Sequence, residues 1–526
     1  MRNISTFFKS GLVVYISLLA GGCSHSKNLT GKYADKPESV SLSVLRSGYD
    51  LERKNLMKDD SLAKIDAAVM LTREEQLADR KLCSLRAQML DSFGIAHFYP
   101  FAHPYFLSEN AIFSDKLYHV LHKMPKGGLL HLHPSAGVSY HWMVDRVVTE
   151  ADCYVYWDSS GDAKYIKGEI HFFKKNSVPK GFSLASDLQK ADGHFKEQLL
   201  ALLKFDQRDM KDSVPVWGEF EKRFKRVSGF VGYQPVFIDL VKSMFDSLVA
   251  DGITHVELRQ HVGSTLYDLD SPAGIFNADS VIHYYQLAAR YIRDNKEPGF
   301  SFDLIYTNVR KRPLKDIESD MVNAFRLRSQ YPDVIKGYDL VAEEDAGNTG
   351  LFYRDAYLMR DSLSKIYKID MPLTLHAGES TWEHNHNIYD AVLVNVKRIG
   401  HGVNLFFFPA LEKEVKKRDI CIEINPVSNQ LLGFVADLRM HPAHALVNHG
   451  IQVSVSSDDP SIFNYTGVSL DYWSIFLAWE MDLKMMKKIV MNSLDYSLLE
   501  GEQKEKAKQV WQDKWALFIQ YVNETL

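Results

Sequence analysis

The sequence predicts an α/β fold built on a (β/α)8 barrel, with an α-helical region ahead of the barrel and an insertion after its first strand. Three observations predict it. Eight short, mostly apolar runs recur along the chain with helical stretches between them, the pattern of parallel strands joined by crossover helices. Most of these runs end in polar residues, among them His133, Glu379 and Asp458, and a barrel of this kind keeps its chemistry at the carboxyl ends of its strands. A chain of 526 residues that is 46% hydrophobic holds enough apolar material for a barrel of about 250 residues with additions.

The chain opens on Arg2 and Lys9, followed by the apolar run Gly11 to Ala20 (GLVVYISLLA), which is too short to span a bilayer as a helix. It ends in Leu19-Ala20-Gly21-Gly22-Cys23, which resembles a bacterial lipobox, although Leu19 stands four residues before the cysteine and the usual spacing is three. The resemblance implies a lipoprotein signal peptide over 1–22 and lipidation of Cys23. Ser24 in place of Asp then implies an outer-membrane lipoprotein of the cell envelope, on its periplasmic or surface side. The alternatives are an ordinary secretory signal and an uncleaved anchor. Residues 23–37 are polar without apolar period and read as a tether. Residues 38–123 carry apolar residues at three- and four-residue intervals, which predicts an N-terminal helical region used for packing or dimerisation.

The eight runs are Gly128–His133, Thr254–Arg259, Phe300–Tyr306, Ile335–Val341, Leu373–Glu379, Arg398–Val403, Cys421–Asn425 and Val453–Asp458. About 120 residues separate the first two, too many for one crossover. The polar stretch 154–215 inside that gap reads as an insertion on the barrel top. The barrel with its insertion then occupies 124–526, with helices from about Leu470 onward.

The net charge of −5 offers no basic field for a nucleic-acid backbone and leaves small neutral substrates open. The cysteines are Cys23, Cys83, Cys153 and Cys421, with no CxxC spacing, so a metal would be held by His and carboxylate. With Cys23 lipidated, one internal disulfide at most can form.

Four strand ends carry chemistry. His131-Leu132-His133 places two imidazoles on one face of a strand, a pairing that suits zinc. His376-Ala377-Gly378-Glu379 adds a third imidazole and a carboxylate that can move protons. Gly400-His401-Gly402 sets a histidine between glycines, which let backbone and substrate approach closely. Ser457-Asp458-Asp459-Pro460 holds adjacent carboxylates, which repel unless each has a partner. Taken singly, each has a plain structural explanation: hydrogen-bonded strand-end histidines, a helix-capping Glu, a turn histidine, and an Asx turn before a proline. Together, at four ends of one barrel, they point to a catalytic metal with an open position for water.

MPKGGLLHLH, LTLHAGE, RIGHG, IEINPVSNQ and SSDDP resemble the signature blocks of the adenosine deaminases. KGYDLVAEEDAG, DLRMHPA, VWGEFEKRF and MNSLDYSLL are similar to the secreted, growth-factor-like (type 2) branch. The likeness runs from about residue 90 to the C-terminus, with the blocks in family order. It implies zinc-dependent hydrolysis of adenosine or 2′-deoxyadenosine, with one Zn2+ per subunit on His131, His133, His376 and Asp458. It further implies that Glu379 protonates purine N1, that His401 orients and deprotonates the water, and that Asp459 contacts N7 and the attacking oxygen. A homodimer is also in keeping with the resemblance, as is Trp217 walling the ribose pocket. Two positions depart from it. The family's ribose-binding Asp after the histidine pair is replaced by Pro134-Ser135-Ala136-Gly137, where Ser135 takes its place. The Gly whose amide meets N3 is Ala342. The branch's usual disulfide in the insertion has no counterpart, since Cys153 lacks a partner there. The departures leave open another 6-aminopurine nucleoside or amino-heterocycle as substrate. A reading of different kind is a non-catalytic lipoprotein that binds nucleosides or a receptor, against which Glu379 and His401 stand. No membrane contact beyond the lipid anchor is expected.

Overall fold

The computed structural model describes residues 42–158, 162–210 and 216–526. The expected signal peptide at 1–22, Cys23 and the expected tether at 23–37 lie outside the described residues. The chain divides into two compact units, residues 1–57 and 58–526. In the first, the described residues are helical, the opening part of α1 (Leu42–Ala63). The second contains the barrel.

Helix α2 (Arg73–Ala96) begins on a reciprocal cap. Thr72 Oγ1 accepts from the Glu75 amide at 3.2 Å, and the Thr72 amide donates to Glu75 at 2.8 Å, so two of the amides a helix start leaves unpaired are satisfied. Glu75 also takes Trp515 Nε1–H at 2.7 Å, which ties α2 to the C-terminal helix Gly501–Thr525.

The eight barrel strands are β1 (Gly127–Leu132), β2 (Ile253–Gln260), β3 (Ser301–Val309), β4 (Ile335–Val341), β5 (Thr374–Ala377), β6 (Arg398–His401), β7 (Cys421–Ile424) and β8 (Val453–Val455). Their ladders are parallel throughout. Bridges Tyr338↔Leu373 and Leu132↔Asp458 join the two four-stranded halves, which closes the ring and leaves no open edge. Every expected run is a strand. The ladders of β5 and β6 stop short of the expected ends, where Gly378 (φ 71°) and Gly402 (φ 56°) are left-handed and turn the backbone out of the sheet; β8 stops at Val455, and Asp458 (φ 62°) returns to pair with Leu132.

Between β1 and β2 the insertion is more structured than its polar composition suggested. Cys153–Tyr156 lies between Ile170–Phe172 and Phe182–Leu184 in an antiparallel sheet. The period of two explains why such a short strand is stable: Cys153 and Val155 face the main core, while Tyr154 and Tyr156 pack with Phe182 on the other side. Two short helices and α3 (Val216–Val231) follow. Helix α4 (Gln234–Ala250) then leads into β2. Cys83, Cys153 and Cys421 are free thiols.

The barrel interior holds an ion ladder. Arg259 on β2 donates to Asp339 on β4 at 2.9 Å, to the Leu130 carbonyl at 2.6 Å and to Glu423 on β7. Arg398 on β6 donates to the same Glu423, to Glu257 and to the Tyr496 carbonyl at 2.8 Å. Burial opposes the ionisation of Glu423, but the two guanidinium groups outweigh it and hold its carboxyl well below the usual carboxylate range.

Candidate active site

The ladder is the floor on which the strand-end residues sit. His131 (β1), His376 (β5), His401 (β6) and Asp458 (past β8) bring their ligating atoms within 4.8 Å of one another, and His133 groups with Asp458 and Asp459. His131 Nε2 lies 3.3 Å and His133 Nε2 3.2 Å from Asp458 Oδ1. Atoms bonded tetrahedrally to one zinc at its usual bond lengths would stand about 3.3 Å apart. His131 Nε2 is buried without a hydrogen-bond partner among the described residues, which leaves its lone pair for a metal. The donor set of three imidazoles and one carboxylate therefore fits a zinc ion.

The floor also sets the ring orientation of two histidines. His131 Nδ1 meets Glu423 at 3.0 Å and His376 Nδ1 meets Asp339 at 2.7 Å. A carboxylate on Nδ1 fixes the proton there and turns the Nε2 lone pair outward, as metal-binding histidines require. Burial draws the His376 imidazole well below its ordinary value, keeping it neutral. Burial likewise opposes a charge on Asp458, but the imidazoles of His131 and His133 beside it prevail and hold its carboxyl well below the ordinary range. Ser428 Oγ donates to its other oxygen at 2.7 Å.

Glu379 is 3% exposed, and its Oε1 lies 3.6 Å from His401 Nε2. Burial, then the charges of Asp458 and Glu344, push its carboxyl well above the ordinary range, so it stays protonated. Asp459 is pushed the same way by burial and by Asp458. The alternative in which Glu379 caps a helix is not what forms, for no helix starts there. The glycines around His401 serve packing rather than substrate approach. A Cβ on Gly400 would come within 3.0 Å of His131 Cε1, and Gly402 is left-handed with Ile422 Cγ2 2.8 Å from where its Cβ would be.

Above the cluster opens a cavity of about 820 Å³, lined by Ser135, Trp217, Ala342, Glu379 and Asp459. Its far wall is aromatic, with Phe172 from the insertion sheet and Phe220 and Phe224 from α3. Ala342 takes φ 81°, the left-handed conformation that favours the Gly of the family pattern. Every site residue expected from the sequence, Cys23 excepted, lies on this cavity or its floor.

Sequence reasoning missed the supporting groups. Glu344 accepts from the Gly378 amide at 3.0 Å, the Glu379 amide at 3.2 Å, and the Asn385 and Asn387 side chains at 2.8 Å each. Arg310 donates to the His376 carbonyl at 2.8 Å. Asp339, Glu423 and Arg259 had a visible signal, charged residues within otherwise apolar strands. Glu344 stands in the block KGYDLVAEEDAG, but nothing local marks its role, since it sits in a loop.

A closed parallel barrel with a His/Asp cluster and a buried protonated carboxyl at its strand ends defines a metal-dependent hydrolase. Residues 200–512 match the family model for adenosine deaminase. Adenosine deaminase 2 of Dictyostelium discoideum is 30% identical over 91% of this chain and 88% of its own. The chain belongs to the adenosine deaminase family. Among solved structures it is similar in fold to an Arabidopsis N6-mAMP deaminase (15% identity, TM-score 0.55, covering 75% of this chain and 99% of that one). It is also similar to a Burkholderia ambifaria amidohydrolase with bound Zn (14% identity, TM-score 0.52, covering 77% and 94%).

Proposed function

We propose that the chain hydrolyses adenosine or 2′-deoxyadenosine to the 6-oxo nucleoside and ammonia, with zinc on His131, His133, His376 and Asp458. The observation that carries this reading is Glu379, buried with its carboxyl pushed up, beside the three-histidine, one-carboxylate cluster. Zinc bound there supplies Lewis-acid activation of a water, lowering its pKa toward neutrality. Glu379 gives its proton to N1, so the ring does not accumulate charge as oxygen adds to C6. Asp459 and His401 orient the incoming oxygen. One proton of the water returns to Glu379. The other follows the C6 amino group, whose bond to carbon breaks and which leaves as ammonia, so the enzyme ends as it began.

The cavity favours a nucleoside over a nucleotide. Among the described residues, Arg259 is the one Lys or Arg that lines it, and its N–H groups are committed to Asp339, Glu423 and Leu130. A phosphate would find no free cation. Ser135 in place of a carboxylate and Ala342 in place of Gly favour, as a second reading, a differently substituted 6-aminopurine nucleoside.

Zinc-loaded protein should release ammonia from adenosine with loss of the adenine absorbance, and Glu379→Gln should abolish turnover while zinc stays bound. Stoichiometric zinc without deamination of any 6-aminopurine nucleoside would sink the reading. The Leu-Ala-Gly-Gly-Cys sequence supports export as a lipoprotein anchored through Cys23. No helix among the described residues is long and apolar enough to cross a membrane. A Cys23→Ser protein that still partitions with membranes would contradict lipidation.

A further inference from the structure

His401 differs from the other two buried histidines of the cluster in what meets its Nδ1. His131 and His376 present Nδ1 to carboxylates. His401 presents it to two side-chain amides, Asn429 Nδ2 at 3.1 Å and Asn425 Nδ2 at 3.3 Å.

The orientation of the Asn429 amide follows from a group that cannot flip. The backbone N–H of Ala443, in the first turn of the helix Pro442–Asn448, donates to His441 Nδ1 at 3.1 Å. His441 Nδ1 is therefore an acceptor. Burial draws this imidazole down to about 3, so it is neutral and its single proton is on Nε2. That Nε2–H meets Asn429 Oδ1 at 3.2 Å, which places the amide oxygen toward His441 and the NH2 toward His401. An NH2 has no lone pair to offer, so His401 Nδ1 accepts. A ring nitrogen that accepts carries no proton of its own. The proton of His401 is then on Nε2, the nitrogen that faces Glu379 at 3.6 Å and Asp458 at 3.9 Å.

We propose that His441 and Asn429 are positioning residues that lock His401 in the Nε2–H tautomer, so that His401 enters the reaction as a hydrogen-bond donor to the incoming oxygen rather than as the base that deprotonates it. This rests on the deaminase reading above. It sorts the cluster by chemistry: His131 and His376 point lone pairs inward and can hold the metal, while His401, equally close, points an N–H inward and cannot. The opposite tautomer would set an N–H of His401 against the N–H groups of two buried amides, a loss of one hydrogen bond and a donor facing donors.

The direct test is the two-bond 1H–15N spectrum of zinc-loaded protein labelled at histidine, with the His401 signals assigned by their disappearance in His401→Gln. The expected pattern is a protonated Nε2 and an unprotonated Nδ1 for His401, and a protonated Nδ1 with a metal-bound Nε2 for His131 and His376. A protonated Nδ1 on His401 overturns the proposal. Asn429→Asp provides the kinetic arm. A carboxylate there still accepts from His441 but can only accept from His401, so it moves the proton to Nδ1. The expected result is a fall in kcat of roughly 10²-fold or more, with KM changed by less than a few-fold and zinc content unchanged. Activity within twofold of wild type overturns the proposal. If Asn429→Asp does not fold, the wild-type spectrum decides alone. Loss of activity toward adenosine in the wild type itself would instead strike the deaminase reading, and the tautomer would still be read from the spectrum.

Discussion

Replacing Glu344 with Gln tests whether the loop carboxylate that holds Gly378 and Glu379 matters to turnover. Oε2 of Glu344 accepts from Gly378, Asn385 and Asn387, and Oε1 accepts from the Glu379 amide. A glutamine has one carbonyl oxygen. If that oxygen keeps the crowded side, its NH2 faces the Glu379 amide, donor against donor. An unsatisfied buried donor costs about 1–3 kcal/mol, and the three remaining bonds together lose roughly 2 kcal/mol of the extra strength of a charged acceptor. The total is on the order of 3–5 kcal/mol. If about half of it is released by letting Glu379 move, kcat falls roughly 10–100-fold, since each 1.36 kcal/mol is a factor of ten. The assay is steady-state deamination of adenosine by zinc-loaded Glu344→Gln, with zinc measured by mass spectrometry on the same sample. A kcat within twofold of wild type refutes the reasoning. A fall matched by lost zinc assigns the effect to the metal site instead of to Glu379.

Asp471 gives a pH prediction away from the metal. It is buried against the Val427 amide at 3.1 Å and the Tyr465 hydroxyl at 3.0 Å, and burial pushes its carboxyl up to about 8. The unfolded chain sheds this proton near pH 4 and the native chain keeps it to about pH 8. In that window the native state binds more protons, so stability falls as pH rises, by about 1.4 kcal/mol per unit at most. Asp471→Asn mimics the protonated form, so in thermal unfolding its advantage over wild type should be small at pH 5 and grow toward pH 8; a constant difference across the range would contradict this. Ala342→Gly removes a left-handed Ala, relieving about 1–2 kcal/mol of strain against roughly 0.4–1 kcal/mol of added chain entropy in the unfolded state. A net gain of about 0.5–1 kcal/mol in a denaturant titration is expected, and a less stable variant would show that Ala342 is not strained.

Periodicity made the eight strands legible, because a parallel barrel strand is buried on both faces and stands out as an apolar run. Strand-end chemistry was legible for the same reason. A polar residue closing such a run, such as His131 or Asp458, has few structural uses. The strands within the insertion were not legible because three- and four-residue strands such as Ile170–Phe172 are too short to show a period, and their polar connections dominate the composition. Glu344, Asn429 and His441 stand inside the blocks KGYDLVAEEDAG, IEINPVSNQ and DLRMHPA, but their roles were not legible, since each owes its role to a residue 12 or more positions away.

The sequence by itself determined the barrel, the carboxyl-end location of the chemistry and the residue types that converge there, because strand periodicity and fold topology are local patterns repeated along the chain. Only the tertiary structure decided what each converging group can do. His131, His376 and His401 are the same side chain at equivalent strand ends. What separates a lone pair from an N–H at their inner nitrogens is the partner on the outer one: Glu423, Asp339 or Asn429. That partner is chosen by packing across the barrel, and a hydrogen bond's polarity is set at the place where the two groups meet.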